Sequence, residues 1–114
     1  MLGRVPYGVW QSEDPNITLY FDPEIAVYEP FPGTYVKDGE STNIVIIFAT
    51  AHKGFIIYDE EVYYNEARIN DNMLYGGFYK VRRNKLYYNL APLWREETGI
   101  KTIVFEKVSD YEDE

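Results

Sequence analysis

The sequence predicts an all-β fold, an antiparallel up-and-down meander closed into a small barrel of about eight strands. Short runs of β-branched and aromatic residues recur along the 114 residues, and turn residues separate them. Twelve Tyr, six Phe and two Trp favour half-buried pleated surfaces over helices. No helical pattern connects the runs as a crossover would, so consecutive runs pair as hairpins. Closure into a barrel leaves no sheet edge open.

The N-terminal part contributes the first strands of the meander. Residues 7–11 form one run, and the turn formers of residues 12–16 end it. Residues 16–21 then alternate between apolar and polar side chains, which indicates a half-buried strand. Three prolines make residues 24–32 an edge strand or a loop, and residues 33–37 form the next strand.

The central part contains the most apolar strand. Residues 43–50 include five consecutive β-branched or aromatic side chains, so we expect both faces of this strand to be covered. A turn at residues 52–54 leads into its hairpin partner, residues 55–58. Residues 61–69 fit both helical spacing and alternation, and their adjacent tyrosines favour the strand.

The C-terminal part closes the meander. Residues 73–82 form a strand in which Gly76-Gly77 predicts a bulge or a barrel corner. Residues 85–90 follow as its hairpin partner. Residues 92–99 begin with Pro and end with Gly, the order typical of a short helix. Residues 100–107 form the last strand.

A short motif at the start of the first strand resembles that of a known family. Gly8-Val9-Trp10 matches the G-x-W motif of the lipocalin and calycin family, and residues 8–15 are similar to the opening of small lipocalin-like domains of uncharacterised bacterial proteins. The resemblance implies a barrel in which Trp10 plugs one end and Gly8 lets the chain bend. It also implies a ligand inside the barrel. The last strand offers Lys101 and Lys107 in place of the Arg that packs over this Trp in the family.

Composition excludes several classes of function. The formal net charge of −8 opposes binding to nucleic acid or to acidic membrane surfaces, since both present phosphates. Without cysteine the chain has no disulfide and no thiolate chemistry. We expect one domain over residues 1–108 and an acidic tail over residues 109–114. The start of the chain shows no leader, so we expect the protein to be cytoplasmic, or extracytoplasmic if a leader was removed.

The chemistry-bearing residues predict no catalysis, no metal and no cofactor. His52 is the only histidine and lies in a turn. The carboxylates of residues 59–61 and Asp71 lack the loop spacing of a calcium site. Arg82-Arg83-Asn84-Lys85, flanked by tyrosines, is similar in composition to a single-strand binding surface, but at this net charge a solvated hairpin tip is the preferred interpretation.

The aromatic residues suggest where a ligand would bind. Tyrosines occur in adjacent pairs, so each pair places one ring inside and one outside the sheet. We therefore expect a non-enzymatic binding protein that takes a small, partly apolar or aromatic ligand in the barrel. The alternative is a module for protein–protein interaction or homo-oligomerisation, with a filled barrel. The ligand-binding candidates are Tyr20, Tyr35, Phe48, Tyr58, Tyr79 and Tyr88.

Overall fold

In a computed structural model of the chain, eight antiparallel strands form a closed barrel in sequence order. The structure describes residues 5–26, 28–49, 53–65 and 73–109. The strands are β1 (Gly8–Glu13), β2 (Asn16–Phe21), β3 (Phe31–Lys37), β4 (Glu40–Ala49), β5 (Gly54–Asp59), β6 (Met73–Arg82), β7 (Lys85–Leu90) and β8 (Thr102–Ser109). Two short helices accompany them, α1 (Glu60–Asn65) and α2 (Pro92–Thr98). The predicted fold class is confirmed, and the barrel is compatible with a lipocalin-like fold.

The connections between strands divide the barrel into two ends. The β1–β2 and β3–β4 turns lie at one end, together with the connections that contain α1 and α2. We call this the helix end. The β2–β3, β4–β5 and β6–β7 connections lie at the other end, where β1 starts and β8 stops. We call this the terminal end.

The apolar core fills the interior because the strands alternate as the pleat requires. On β2, Ile17, Leu19 and Phe21 are all fully buried, and on β7 the same holds for Leu86 and Tyr88. Their neighbours along each strand face outward. The strand pairing therefore places the apolar sets of all eight strands on one continuous inner surface.

Trp10 lies inside the barrel near the terminal end. Its indole Nε1 donates a hydrogen bond to the Pro6 carbonyl oxygen at 2.7 Å, and the ring is almost completely buried. The Lys107 ammonium lies 5.7 Å from the centre of the Trp10 ring, within cation–π range. Gly8 has φ 130°, and a Cβ there would lie 2.9 Å from the Ser109 carbonyl oxygen. A side chain at position 8 would therefore obstruct the closure of β1 against β8.

One predicted strand is a helix. Residues 60–65 form α1, so the strand interpretation of residues 61–69 is wrong over its first part, and residues 66–69 lie outside the described residues. The Asp59 carboxylate caps this helix by accepting hydrogen bonds from the backbone N–H groups of Glu61 and Val62, at 2.9 and 3.3 Å. The cap and packing against the outer face of β4 and β5 outweigh the strand preference of the tyrosines.

The bulge of β6 does not lie at the glycine pair, the position predicted for a bulge or a barrel corner. The register of β5 against β6 shifts between Ile57 and Tyr58, where β6 carries Leu74 as an extra residue. The bulge therefore precedes Gly76-Gly77. A Cβ on Gly76 would lie 2.9 Å from the Trp94 ring of α2, so this glycine gives the ring its space.

The predicted short helix between the last two strands is confirmed as α2. Pro92 is its first residue, and Gly99, which has φ 75°, follows the last residue as the C-cap. The Gly99 N–H donates a hydrogen bond to the Arg95 carbonyl oxygen at 2.8 Å. Proline thus starts the helix and a left-handed glycine ends it, as the sequence indicates.

Candidate ligand site at the barrel mouth

Aromatic rings fill the terminal half of the barrel. Phe55 and Tyr88 stack with ring centres 4.2 Å apart and planes 9° from parallel. The Tyr88 hydroxyl donates a hydrogen bond to the Phe55 carbonyl oxygen at 2.7 Å, so the buried hydroxyl is satisfied. Phe21, Phe48 and Tyr79 contact Phe55 at centre-to-centre distances of 5.5–6.0 Å. Phe31 contacts Phe21 and Phe48, at 5.4 and 5.6 Å. This half of the interior is occupied by the protein's own side chains.

Four of the six candidate aromatics are on the inner face. Phe48, Tyr79 and Tyr88 belong to the aromatic group of the terminal half. Tyr35 packs against the core closer to the helix end, where it contacts Tyr75. The structure therefore separates Tyr35 from the other three.

The remaining two candidates, Tyr58 and Tyr20, are on the outer face, so neither can contact a ligand inside the barrel as expected of a ligand-binding candidate. Tyr58 follows the inward Ile57 on β5, and its ring lies 5.2 Å from that of Tyr63 on α1. It is buried beneath the helix rather than inside the barrel. Tyr20 lies between the core residues Leu19 and Phe21, so the pleat points it outward.

A cavity of about 400 Å³ opens at the helix end, and we call it the mouth cavity. Strand register explains its lining, because Tyr35 pairs with Thr42 and Ile44 pairs with Asp59, which puts these residues on the inner face above the core. Leu74, the bulged residue of β6, adds an apolar wall. The described residues that line it are Tyr35, Lys37, Asp38, Glu40, Thr42, Asp59 and Leu74.

Two tyrosines connect the mouth cavity to the core. The Tyr35 and Tyr75 rings meet edge to face with centres 6.4 Å apart, and their side chains share a hydrogen bond. Burial, followed by the hydrogen bond and the charge interaction with Tyr35, raises the pKa of Tyr75 well above its ordinary value. Tyr75 therefore keeps its proton to a higher pH than an exposed tyrosine does.

The rim of the mouth cavity is acidic. In the part of the chain that the structure describes, Asp38, Glu40 and Asp59 contribute three carboxylates to the lining and Lys37 contributes one cation. The Asp59 carboxylate already accepts two backbone hydrogen bonds from α1. Asp38 and Glu40 are exposed at the β3–β4 turn. A polar group with hydrogen-bond donors or a positive charge is favoured at this rim.

Sequence reasoning missed most of this lining. Asp59 appeared only among possible metal ligands, and Leu74 and Thr42 carried no signal of their own. The site brings together residues of four strands, and only the β5–β6 bulge places Leu74 at the rim. His52 and Asp71 lie outside the described residues. Within the described ranges, no three His, Asp or Glu side chains are grouped as metal ligands would be.

The comparisons with known proteins identify no relative: no family model, curated protein or solved structure matches the chain. In the part of the chain that the structure describes, neither helix has the length and apolarity needed to cross a membrane.

Proposed function

We propose that the protein is a non-enzymatic, lipocalin-like binding protein that holds a small, partly apolar or aromatic ligand in the mouth cavity. The observation that carries this proposal is the mouth cavity itself, of about 400 Å³, at the opposite end of the barrel from the packed aromatic rings. Its size lies within the range common for small-molecule sites, roughly 300–1,000 Å³. The lipocalin-like assignment is supported by the closed eight-strand barrel and by the position of Gly8 and Trp10 at its terminal end.

The lining suggests how such a ligand is oriented. Its apolar or aromatic part rests on the Leu74 side chain and the Tyr35 ring, which form the apolar part of the cavity. Its polar end, carrying an amine or another donor group, lies toward Asp38 and Glu40 at the rim. This orientation keeps charged groups near solvent and buries apolar surface.

The proposal can be tested with thermal unfolding in the presence of candidate ligands. The panel contains fatty acids, haem-like compounds, flavins and aromatic compounds, with aromatic amines included because of the acidic rim. A ligand that binds the folded state raises the melting temperature in a concentration-dependent way. Leu74→Trp, which fills the cavity, should abolish this increase. Leu93→Trp is the matched control, since Leu93 is exposed on α2 and does not line the cavity.

The two variants distinguish binding at the mouth from binding elsewhere on the protein. Stabilisation that survives in Leu93→Trp and disappears in Leu74→Trp supports the proposal. If no compound in the panel stabilises the protein, or if Leu74→Trp retains the full shift, ligand binding at the mouth is wrong.

A second candidate function is protein–protein interaction or homo-oligomerisation. The outer surface exposes three large apolar side chains on β6 and β8, two strands that β7 separates: Phe78, Val104 and Val108, with 54%, 40% and 55% of their surface accessible. Phe78, the one aromatic ring among them, is the candidate contact residue. Light scattering across a concentration series tests for self-association. Phe78→Ser should dissociate an oligomer that uses this face, and an unchanged mass would exclude Phe78 from the contact.

A further inference from the structure

A second cavity, of about 600 Å³, lies on the outer surface at the terminal end. Among the described residues, four cationic residues and one carboxylate line it, and the ammonium of one of them, Lys107, lies over the Trp10 ring. The lining consists of Arg82, Arg83, Asn84, Lys85, Tyr87, Glu106 and Lys107. The local charge of these groups is therefore positive in a chain whose formal net charge is −8.

The backbone fixes the positions from which these cations extend. Arg82 and Lys85 are a cross-strand pair on either side of the β6–β7 turn. The Lys107 N–H donates a hydrogen bond to the Asn84 carbonyl oxygen at 2.9 Å, which ties the turn to β8. Arg83 occupies a turn position with φ 58°. Three strands therefore support the cluster, and it is more than the free tip of one hairpin.

The charges within the cluster are unbalanced. Lys85 Nζ lies 3.7 Å from a Glu106 carboxylate oxygen, so the single carboxylate of the lining already faces one of the cations. Neither Arg82 nor Arg83 forms an ion pair with another described residue. Grouped cations repel one another, so an anion that bridges them lowers the free energy of the folded state. Arginine side chains suit phosphate in particular, because their planar guanidinium groups donate paired hydrogen bonds to its oxygens.

We propose that this surface cavity is a binding site for a compact, multiply charged anion of the phosphate or diphosphate class. A compact anion places its charges within reach of Arg82, Arg83 and Lys85 together. A nucleic-acid strand would also extend over the acidic remainder of the surface, where the net charge opposes it. The Tyr87 side chain forms an uncharged wall of the cavity, which suits an anion that carries an organic group. The site lies at the opposite end of the barrel from the mouth cavity and is independent of the function proposed above.

The test is a titration with inorganic pyrophosphate and, in parallel, ADP, at low ionic strength. Isothermal titration calorimetry gives the affinity, and amide chemical shifts of residues 82–87 locate the site. Replacing both Arg82 and Arg83 with Ala should weaken both anions about tenfold or more, since charge-assisted hydrogen bonds are lost. The matched control replaces Lys53 and Lys101 with Ala, which removes the same charge at exposed positions that do not line the cavity.

Four results decide the proposal. Binding that is lost in the double arginine variant and retained in the lysine control supports it. Equal weakening in both variants, or no binding of either anion to the unmodified protein, overturns the site. Binding of the dicarboxylate succinate as tightly as pyrophosphate overturns the phosphate class. Circular dichroism of each variant confirms that the comparison uses folded protein.

Discussion

The two halves of the barrel interior are built differently. The terminal half contains Trp10 and a group of rings in direct contact, including the stacked Phe55 and Tyr88. The helix half contains smaller buried side chains, the Tyr35–Tyr75 pair and a cavity bordered by charged residues. The same alternation of inward and outward residues produces both halves. They differ in which side chains the inward positions carry.

This difference suggests a division of roles. Large rings in mutual contact bury much apolar surface and exclude other molecules, so the terminal half serves chiefly for stability. The helix half buries less apolar surface near its rim and leaves room for a ligand. Mutations in the two halves should therefore have unequal effects on the free energy of unfolding, and four predictions test this, beginning with the largest effect.

Trp10→Ala should reduce the free energy of unfolding by about 3–5 kcal/mol, because it removes a large, almost completely buried side chain. The measurement is urea unfolding followed by circular dichroism. Trp94→Ala is the comparison, since Trp94 is only half-buried, and its cost should stay below about 2 kcal/mol. Equal losses at the two tryptophans would contradict a special structural role for the terminal half.

Tyr88→Phe should cost about 1–2 kcal/mol, because the buried hydroxyl donates to the Phe55 carbonyl oxygen. The ring stack is kept, so the variant isolates the hydrogen bond. Urea unfolding again gives the value. A loss of zero would mean that the bond does not contribute to stability, and the terminal half would then depend on ring packing alone.

The sequence predicts the strand order better than it predicts the contents of either half. Eight strands in meander order follow from short β-type runs and turn residues, which are local signals. The inward position of Tyr88 follows from its alternation with Leu86 and Leu90. Tyr58 could not be placed in this way, because Phe55-Ile56-Ile57-Tyr58 is apolar at every position and α1 covers its outer face.

The lining of the mouth cavity was harder to predict from the sequence than the strand order. The mouth cavity depends on register between strands and on a bulge at Leu74, and neither is encoded by a local motif. The sequence predicts the bulge slightly further along β6, at Gly76-Gly77, where Gly76 instead gives space to Trp94. A shift of this size changes which side chain reaches the rim. Tertiary pairing decides such positions, so the lining could be determined only from the structure.

Stability should fall at alkaline pH because of buried tyrosines in the barrel. Burial raises the pKa of Tyr79 to about 12, whereas the unfolded chain loses phenolic protons near pH 10. The folded state therefore binds more protons above pH 10, and the free energy of unfolding falls as the pH rises from about 10 toward 12. Tyr79→Phe should flatten this decline in urea unfolding at stepped pH. Tyr28→Phe, at a side chain 85% exposed, is the control, and identical slopes in both variants would refute the assignment to Tyr79.

The smallest effect should come from the mouth. Tyr35→Phe removes a hydroxyl from a half-buried side chain near solvent, so we expect a cost of less than about 1 kcal/mol, below that of Tyr88→Phe. The same change removes the hydrogen bond and the charge interaction that help to raise the pKa of Tyr75. That pKa should therefore decrease while burial keeps it above its ordinary value. Spectrophotometric titration of tyrosinate, compared between Tyr35→Phe and the unmodified protein, measures the decrease. If Tyr35→Phe reduced the free energy of unfolding as much as Tyr88→Phe, the helix half would stabilise the fold as much as the terminal half. The division of roles between the two halves would then be wrong.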